Sequence, residues 1–231
     1  RCPSVSGLGS VILPSMVRSA GCHGNLLWLD VDERIFAFNV GQHTRFTVDA
    51  SDARYIAMQV LLGDGTAVYV SDRLRFVNVR IVEPTDVRRS IACMGPSVLD
   101  VTGDGDPSSI IAVACSVERP IAEALHDPAV IAGVGQRLAS EALLTARVSP
   151  WRPVTRVQRS EWRALLGSLH VEASRALSIG TAASVGEPIP SLAWCLPAIA
   201  YGRTRLEDGT RLVHERCASG WTLSWAPDVQ T

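Results

Sequence analysis

The stretches Leu26-Leu27-Trp28-Leu29-Asp30 and Ile35-Phe36-Ala37-Phe38-Asn39-Val40 decide the fold class of the first third of this chain. Both are short and apolar, and short apolar runs that follow one another closely are typical of strands. Similar runs follow at residues 45–48, 55–62, 67–70 and 74–81. Gly63-Asp64-Gly65 separates two of these runs and predicts a hairpin, because Gly and Asp tolerate positive φ. We therefore predict a mostly antiparallel sheet within residues 1–85.

The sequence on either side of this sheet has helical character. Leu8, Val11, Ile12 and Met16 recur near helical spacing and predict an N-terminal helix over residues 4–19. Helices are also predicted at 107–117, at 127–146 with Asp127 as its cap, and at 161–177. A terminal hairpin is predicted within 204–225. Strands followed by helices indicate an α+β fold, which we interpret as one domain, 1–231, with sections 1–85, 86–200 and 201–231.

Composition and charge exclude several classes of protein. Apolar residues make up 47% of the 231 residues and charged residues 19%, which is a globular balance. The net charge of −1 provides no global basic field, so any contact with nucleic acid needs a local Arg patch. No apolar run is long enough to span a membrane. All 22 basic residues are Arg. A GC-rich genome would explain the absence of Lys, and so would selection against ubiquitination.

The cysteines and the first residues bear on compartment and metal binding. The chain begins at Arg1-Cys2 without Met, which indicates trimming, and removal of a signal peptide would be one cause. Cys2 with Cys22, and Cys195 with Cys217, are spaced to close loops of about 20 residues. Two further cysteines, Cys93 and Cys115, are either buried thiols or a pair. Cys-x-x-Cys pairs and His clusters are absent from the sequence, so we predict no metal site.

One pair of charged residues stands out on the predicted helix 161–177. Glu172 and Arg175 are three residues apart, and Glu172 falls at the margin of the apolar arc. One interpretation is a surface ion pair that contributes a few tenths of a kcal/mol, roughly. The other is a half-buried carboxylate with its own cation, which is an arrangement suited to catalysis.

The order of short motifs along the chain carries a resemblance to a known family. The motifs are Val17-Arg18-Ser19-Ala20, residues 26–30 and 35–40, Asp52 to Ile56, Ala67-Val68-Tyr69, Leu74-Arg75-Phe76, Val171-Glu172-Ala173-Ser174-Arg175 and Leu192-Ala193-Trp194. This order resembles the A chains of ribosome-inactivating proteins, Shiga toxin more than ricin. The resemblance covers residues 17–76 and 162–175, and it implies a ribosome-inactivating-protein-like fold.

The resemblance implies a catalytic site. Tyr55 would stack on a target adenine, and Trp194 would support the pocket. Glu172 would stabilise the oxocarbenium-like ribose or polarise the attacking water, and Arg175 would favour departure of the base. An alternative site centres on Glu141, where Arg137 would have to supply the cation.

The expected function is therefore an rRNA N-glycosylase toxin, a hydrolase that removes one adenine from large ribosomal RNA and blocks translation. It would be secreted, contain disulfides and act in the cytosol of a target cell. No cofactor is implied; the expected partners are the ribosome with its RNA and a separate cell-binding B subunit. Two alternatives stay open: an inactive toxin-fold binding module, and a structural protein from a GC-rich genome.

Overall fold

The computed structural model describes residues 15–32, 34–40, 44–48, 55–72, 74–184 and 198–231. The chain divides into two compact units, Arg1–Cys93 and Met94–Thr231. Strands dominate the described residues of the first unit and helices those of the second. The division into sections 1–85, 86–200 and 201–231 within one domain stays a prediction.

The first unit is built from strands and one following helix. These are β1 (Val17–His23), β2 (Leu26–Val31), β3 (Arg34–Asn39), β4 (Thr44–Thr47), β5 (Ile56–Leu61), β6 (Ala67–Asp72), β7 (Asn78–Val82) and α1 (Pro84–Ala92). One sheet has the order β1-β2-β3-β7 and the other β4-β6-β5, with all neighbours antiparallel. The turn at Gly63-Asp64-Gly65 joins β5 to β6, which confirms the predicted hairpin.

An apolar cluster joins the two sheets of the first unit. Phe38 of β3 and Val79 of β7 pack with Val70 of β6, and all three side chains are buried. The Phe38 ring also meets the Phe46 ring of β4 edge-on, with ring centroids 5.9 Å apart. Burial of such side chains contributes about 1.5–3 kcal/mol each to the free energy of unfolding. This cluster therefore holds β6 and β7 in place on either side of the turn that joins them.

The predicted N-terminal helix is wrong for the part of it that the structure describes. Val17–His23 is strand β1, which pairs with β2 from Val17 opposite Val31 to His23 opposite Leu26. The helical spacing rests mainly on residues before 15, which lie outside the described ranges. Hydrogen bonds from a neighbouring strand determine the conformation of residues 17–23, and local spacing does not reveal them.

The second unit is mostly helical. Its elements are α2 (Ser108–Ala114), α3 (Ile121–His126), α4 (Gln136–Thr145), a short 3-10 helix (Val154–Arg156), α5 (Arg159–Ser184), β8 (Val213–Arg216) and β9 (Thr222–Trp225). Helix α5 contains the predicted helix 161–177 and extends it. Trp162, Leu165 and Leu169 recur at three- and four-residue steps and are buried in the core with Leu125 of α3 and Leu143 of α4.

The predicted helix 127–146 is wrong in its first half. Asp127 follows the end of α3 and does not cap a longer helix. Its carboxylate accepts a hydrogen bond from the Ala129 backbone N–H (2.9 Å) and pairs with Arg119 (2.9 Å). Gly133 then adopts φ +94°, and α4 begins only at Gln136. An Asx turn, which offers the backbone a non-helical partner, therefore replaces the expected cap.

The described thiols are free. Cys22 and Cys93 are exposed, Cys115 is half-buried, Cys217 is buried, and none of these four forms a disulfide. The pairing of Cys93 with Cys115 is therefore wrong, whereas Cys2 and Cys195 lie outside the described residues. Among the described helices, none combines the length and the apolar character that a membrane crossing requires.

Candidate functional site

A buried carboxylate organises the turn between β6 and β7. Asp72 is 1% exposed. Its Oδ1 accepts a hydrogen bond from the Leu74 backbone N–H (3.0 Å), and its Oδ2 accepts from those of Phe76 (2.7 Å) and Val77 (2.6 Å). Arg75 adopts φ +54°, which is unusual for a residue with a side chain. The carboxylate satisfies backbone donors that the tight turn leaves without ladder partners, and so fixes its shape.

This turn presents a large aromatic side chain to solvent. Phe76 is 72% exposed, although aromatic residues are normally drawn into the core. Val77 and Val79 point into the sheet cluster, so strand alternation places Phe76, Asn78 and Arg80 on the opposite side. The result is an exposed aromatic ring on a fixed turn, beside polar and cationic side chains.

One cross-strand row of the same sheet contains three polar residues and one leucine. His23 of β1 pairs with Leu26, Leu26 with Asn39, and Asn39 with Asn78 of β7. Residues in one cross-strand row share a face. Asn39 and Asn78, which are both exposed, therefore lie on the face of Phe76 and Arg80, whereas Leu26 in the same row is buried.

In the second unit, Glu141 of α4 holds the backbone that leads to the terminal hairpin. It is 4% exposed. Its carboxylate accepts hydrogen bonds from three consecutive backbone N–H groups: Ile199 (Oε2, 3.0 Å), Ala200 (Oε1, 3.0 Å) and Tyr201 (Oε1, 2.8 Å). Both oxygens are thus occupied by backbone donors. This geometry gives Glu141 a structural role in holding the segment, and its catalytic role in the alternative site stays a prediction.

Other polar residues of α4 attach the hairpin strand β9. Gln136 donates from Nε2 to the Tyr201 hydroxyl (2.6 Å) and accepts at Oε1 from the Thr222 backbone N–H (3.2 Å). Ser140 accepts at Oγ from the Ser224 backbone N–H (3.1 Å). An isolated two-stranded hairpin is marginal in water, so these contacts with α4 are a main source of its fixed position.

The turn between β8 and β9 packs against α3. The His126 and Trp221 rings are 3.5 Å apart at their centroids. The Nδ1 atom of His126 lies 3.3 Å from the Ser219 Oγ, while its Nε2 is buried and has no hydrogen-bond partner among the described residues. Burial lowers the pKa of His126 from 6.5 to about 4, so the ring is neutral at pH 7.

We expect this histidine to make the fold sensitive to acid. Between pH 6.5 and about 4 the unfolded chain binds a proton at His126 and the folded chain does not, so stability is lost as the pH falls through that window. Allowing for solvent screening around the partly exposed ring, the loss from pH 7 to pH 5 is about 1 kcal/mol. Urea unfolding of H126F, which retains an aromatic ring against Trp221, should show a weaker pH dependence than the wild type. An identical dependence would contradict the assignment.

The residues predicted to be catalytic are divided between the two units, and one of them lies outside the described residues. Tyr55 belongs to the first unit, where it is 46% exposed just before β5. Glu172 is half-buried and Arg175 exposed on α5, and within the described part of the chain no hydrogen bond or ion pair joins them. Trp194 lies outside the described residues. The catalytic roles of these four residues stay a prediction.

Sequence reasoning misses Asp72, Phe76 and the structural role of Glu141. The pattern predicts strand at Leu74-Arg75-Phe76, although charged residues there interrupt the apolar run between Val70 and Val77. An Asp at the end of a strand, followed by such an interruption, is the available signal for a side chain that staples a turn. The described residues also hold no group of three or more His, Cys, Asp or Glu side chains placed to bind a metal.

Known proteins similar to this chain are DNA glycosylases. No protein-family model matches it. The formamidopyrimidine-DNA glycosylase of Geobacter metallireducens is 26% identical over 175 residues, 74% of this chain and 65% of the relative. That of Paracoccus denitrificans is 32% identical over 117 residues, 50% of this chain and 41% of the relative. The chain thus spans between 41% and 66% of the length of these curated relatives.

Solved structures show the fold. The MutM (Fpg) protein of Thermus thermophilus covers 94% of this chain with a TM-score of 0.72, at 22% identity and over 83% of its own length. The Lactococcus lactis formamidopyrimidine-DNA glycosylase bound to DNA with an abasic site covers 94% with a TM-score of 0.75, at 15% identity and over 82% of its length. The chain therefore has the formamidopyrimidine-DNA glycosylase fold.

This fold corrects the toxin interpretation. The ribosome-inactivating-protein-like fold and the rRNA N-glycosylase function are wrong, because the similar sequences and structures are those of DNA glycosylases. The two alternatives, an inactive toxin-fold module and a structural protein, do not match either. Ribosomal RNA and a B subunit are wrong as partners, since the solved neighbours include complexes with DNA. Secretion and action in a target-cell cytosol depend on the toxin resemblance and are wrong with it.

Proposed function

We propose that this chain is a DNA-damage recognition protein of the formamidopyrimidine-DNA glycosylase type, which binds duplex DNA at a damaged or base-free position. The observation that carries the proposal is Phe76, an exposed ring on the turn fixed by Asp72. Similar solved structures include complexes with abasic-site DNA and with DNA containing FAPY-dG, and they support DNA as the ligand.

The geometry around Phe76 suits distorted DNA. Proteins that act on a base take it out of the stack, and inserted apolar side chains fill or wedge the opened step. A ring held on a fixed turn does this at low entropic cost, because its backbone is already ordered. Asn39, Asn78 and Arg80, which are exposed on this face, supply groups that suit phosphate and sugar atoms.

Base removal is the second part of this proposal, and it has support from the activity named for the curated relatives. The substrate class would be an oxidised, ring-opened purine of the formamidopyrimidine type. The proposal assigns no described side chain to cleavage of the N-glycosidic bond.

The test compares three duplexes of one sequence, with a tetrahydrofuran abasic-site analogue, a FAPY-dG, or no lesion. We expect fluorescence anisotropy to show at least about tenfold tighter binding to the first two, since an already unstacked step lowers the cost of distortion. Equal affinity for all three would overturn damage recognition.

Alkali treatment after incubation with the FAPY-dG duplex should break the strand at the lesion. An intact strand at every enzyme concentration would overturn base removal and leave recognition standing.

A further inference from the structure

A small loop before the terminal hairpin brings two like charges together. The Leu206 backbone N–H donates to the Thr210 carbonyl (2.9 Å), and the Leu212 N–H donates to the Thr204 carbonyl (2.9 Å). These bonds flank Arg205 and Arg211, which face each other across an antiparallel bridge. Such a non-hydrogen-bonded pair has the closer of the two cross-strand spacings, and like charges at that spacing are destabilising.

This repulsion has no counterion in the described residues. Arg203, Arg205 and Arg211 are all exposed, and no described carboxylate forms an ion pair with them. The Arg205 Nη1 atom donates to the Gly209 carbonyl (2.9 Å), which orients its guanidinium. The nearby Asp208 carboxylate accepts from the Thr210 backbone N–H (2.9 Å). Adjacent guanidinium groups of this kind suit the planar, bidentate geometry of a phosphate.

The loop is held rigidly from its other side. Leu206 and Leu212 alternate with the two arginines and pack into an apolar cluster with Leu144 of α4, Ala200 and Ala226. The cations therefore point away from this cluster, and rotation of the loop would expose its apolar side chains.

Glu141 fixes the entry to this loop. Its carboxylate binds the N–H groups of residues 199–201, and the next residue, Gly202, donates its N–H to the Ser224 Oγ (3.2 Å). The backbone is thus held on both sides of Tyr201, and Arg203 follows directly.

We propose that Arg205 and Arg211, with Arg203, form a binding site for a phosphate of the DNA backbone, and that Glu141 is the positioning residue that holds this loop in place. The proposal rests on the DNA binding proposed above and adds a contact outside the sheet that carries Phe76. The bound phosphate offsets the repulsion between the paired arginines.

The first test measures the salt dependence of binding. Binding of the abasic-analogue duplex is measured in 50–300 mM KCl. The association constant falls as salt rises, and R205A/R211A should make the slope of log K against log [salt] less steep by about 1, as expected for one lost phosphate contact. Affinity at 100 mM KCl should fall about tenfold. R156A/R163A removes two exposed arginines from the same unit and matches the change in net charge, and its slope should stay at the wild-type value. An unchanged slope in R205A/R211A would overturn the phosphate site.

The second test is a double-mutant cycle with E141Q, which replaces one carboxylate oxygen by a donor facing the backbone N–H groups. In the wild-type background we expect E141Q to weaken binding about tenfold and to make the salt dependence less steep. In R205A/R211A the same substitution should cause no further loss of affinity. The same loss in both backgrounds would overturn the positioning role. Thermal denaturation checks folding, and E141D takes the place of E141Q if that variant is unfolded. Should the wild type bind none of the duplexes, the DNA-binding proposal itself fails, which is a different result from binding with an unchanged slope.

Discussion

Replacing Phe76 by Ala is expected to weaken binding to the abasic-analogue duplex by about 10- to 100-fold, because contact of an aromatic ring with a base is worth about 1–3 kcal/mol. The loss should be smaller on undamaged DNA, where no opened step receives the ring. Since Phe76 is 72% exposed, the substitution removes little core packing, and the urea midpoint should stay near that of the wild type. Anisotropy titrations on both duplexes measure the effect.

Two further variants separate this role from general hydrophobicity. L61A removes another exposed apolar side chain of the first unit, 62% accessible, and should bind both duplexes like the wild type. D72N keeps the Phe76 ring but weakens the hydrogen bonds that hold the turn, because one carboxylate oxygen becomes a donor facing backbone N–H groups. We expect it to lose part of the preference for the damaged duplex. If F76A and L61A behave alike, Phe76 is not the wedge.

The largest loss of stability is expected from W162A. Trp162 is fully buried at the centre of the second unit, and removal of such a side chain costs about 3–5 kcal/mol through lost burial and the cavity left behind. Urea unfolding followed by far-UV circular dichroism measures the change.

W162F provides the matched control, because the indole Nε1 of Trp162 is buried and finds no hydrogen-bond partner in the part of the chain that the structure describes. Phe keeps most of the apolar contact and removes a donor whose burial costs about 1–3 kcal/mol. We expect W162F to lie within about 1 kcal/mol of the wild type. A loss as large as that of W162A would contradict this account of the unsatisfied indole.

Local signals predict those parts of the fold that local physics determines. Gly63-Asp64-Gly65 forms its hairpin because its residues tolerate the turn conformation, and the spacing of Trp162, Leu165 and Leu169 predicts α5 because one helix face meets one core. The prediction for Val17 and its neighbours fails because a partner strand decides their conformation. The prediction for Asp127 fails because its carboxylate serves an Asx turn as readily as a helix cap.

The toxin resemblance fails for a related reason. Short apolar strand motifs separated by turns recur in unrelated antiparallel sheets, so their order constrains topology weakly. The sequence suggests that Glu172 pairs with Arg175 because the two residues are three positions apart. The partners of Glu141 are 58–60 residues away and are backbone N–H groups. Every residue except proline has such a group, so the residue types at these positions do not reveal the contact. Asp72 and Phe76 are only four residues apart, and that contact is within reach of sequence reasoning.

The way in which Glu141 binds its partners has a consequence for substitution tolerance. Because the carboxylate contacts main-chain N–H groups, almost any side chain at positions 199 and 201 leaves those bonds intact, whereas Pro removes a donor. Ala200 is limited in size by its burial. Homologous chains should therefore vary freely at 199, remain small at 200 and retain an acid at 141, a pattern in which the invariant residue and its partners show no covariation.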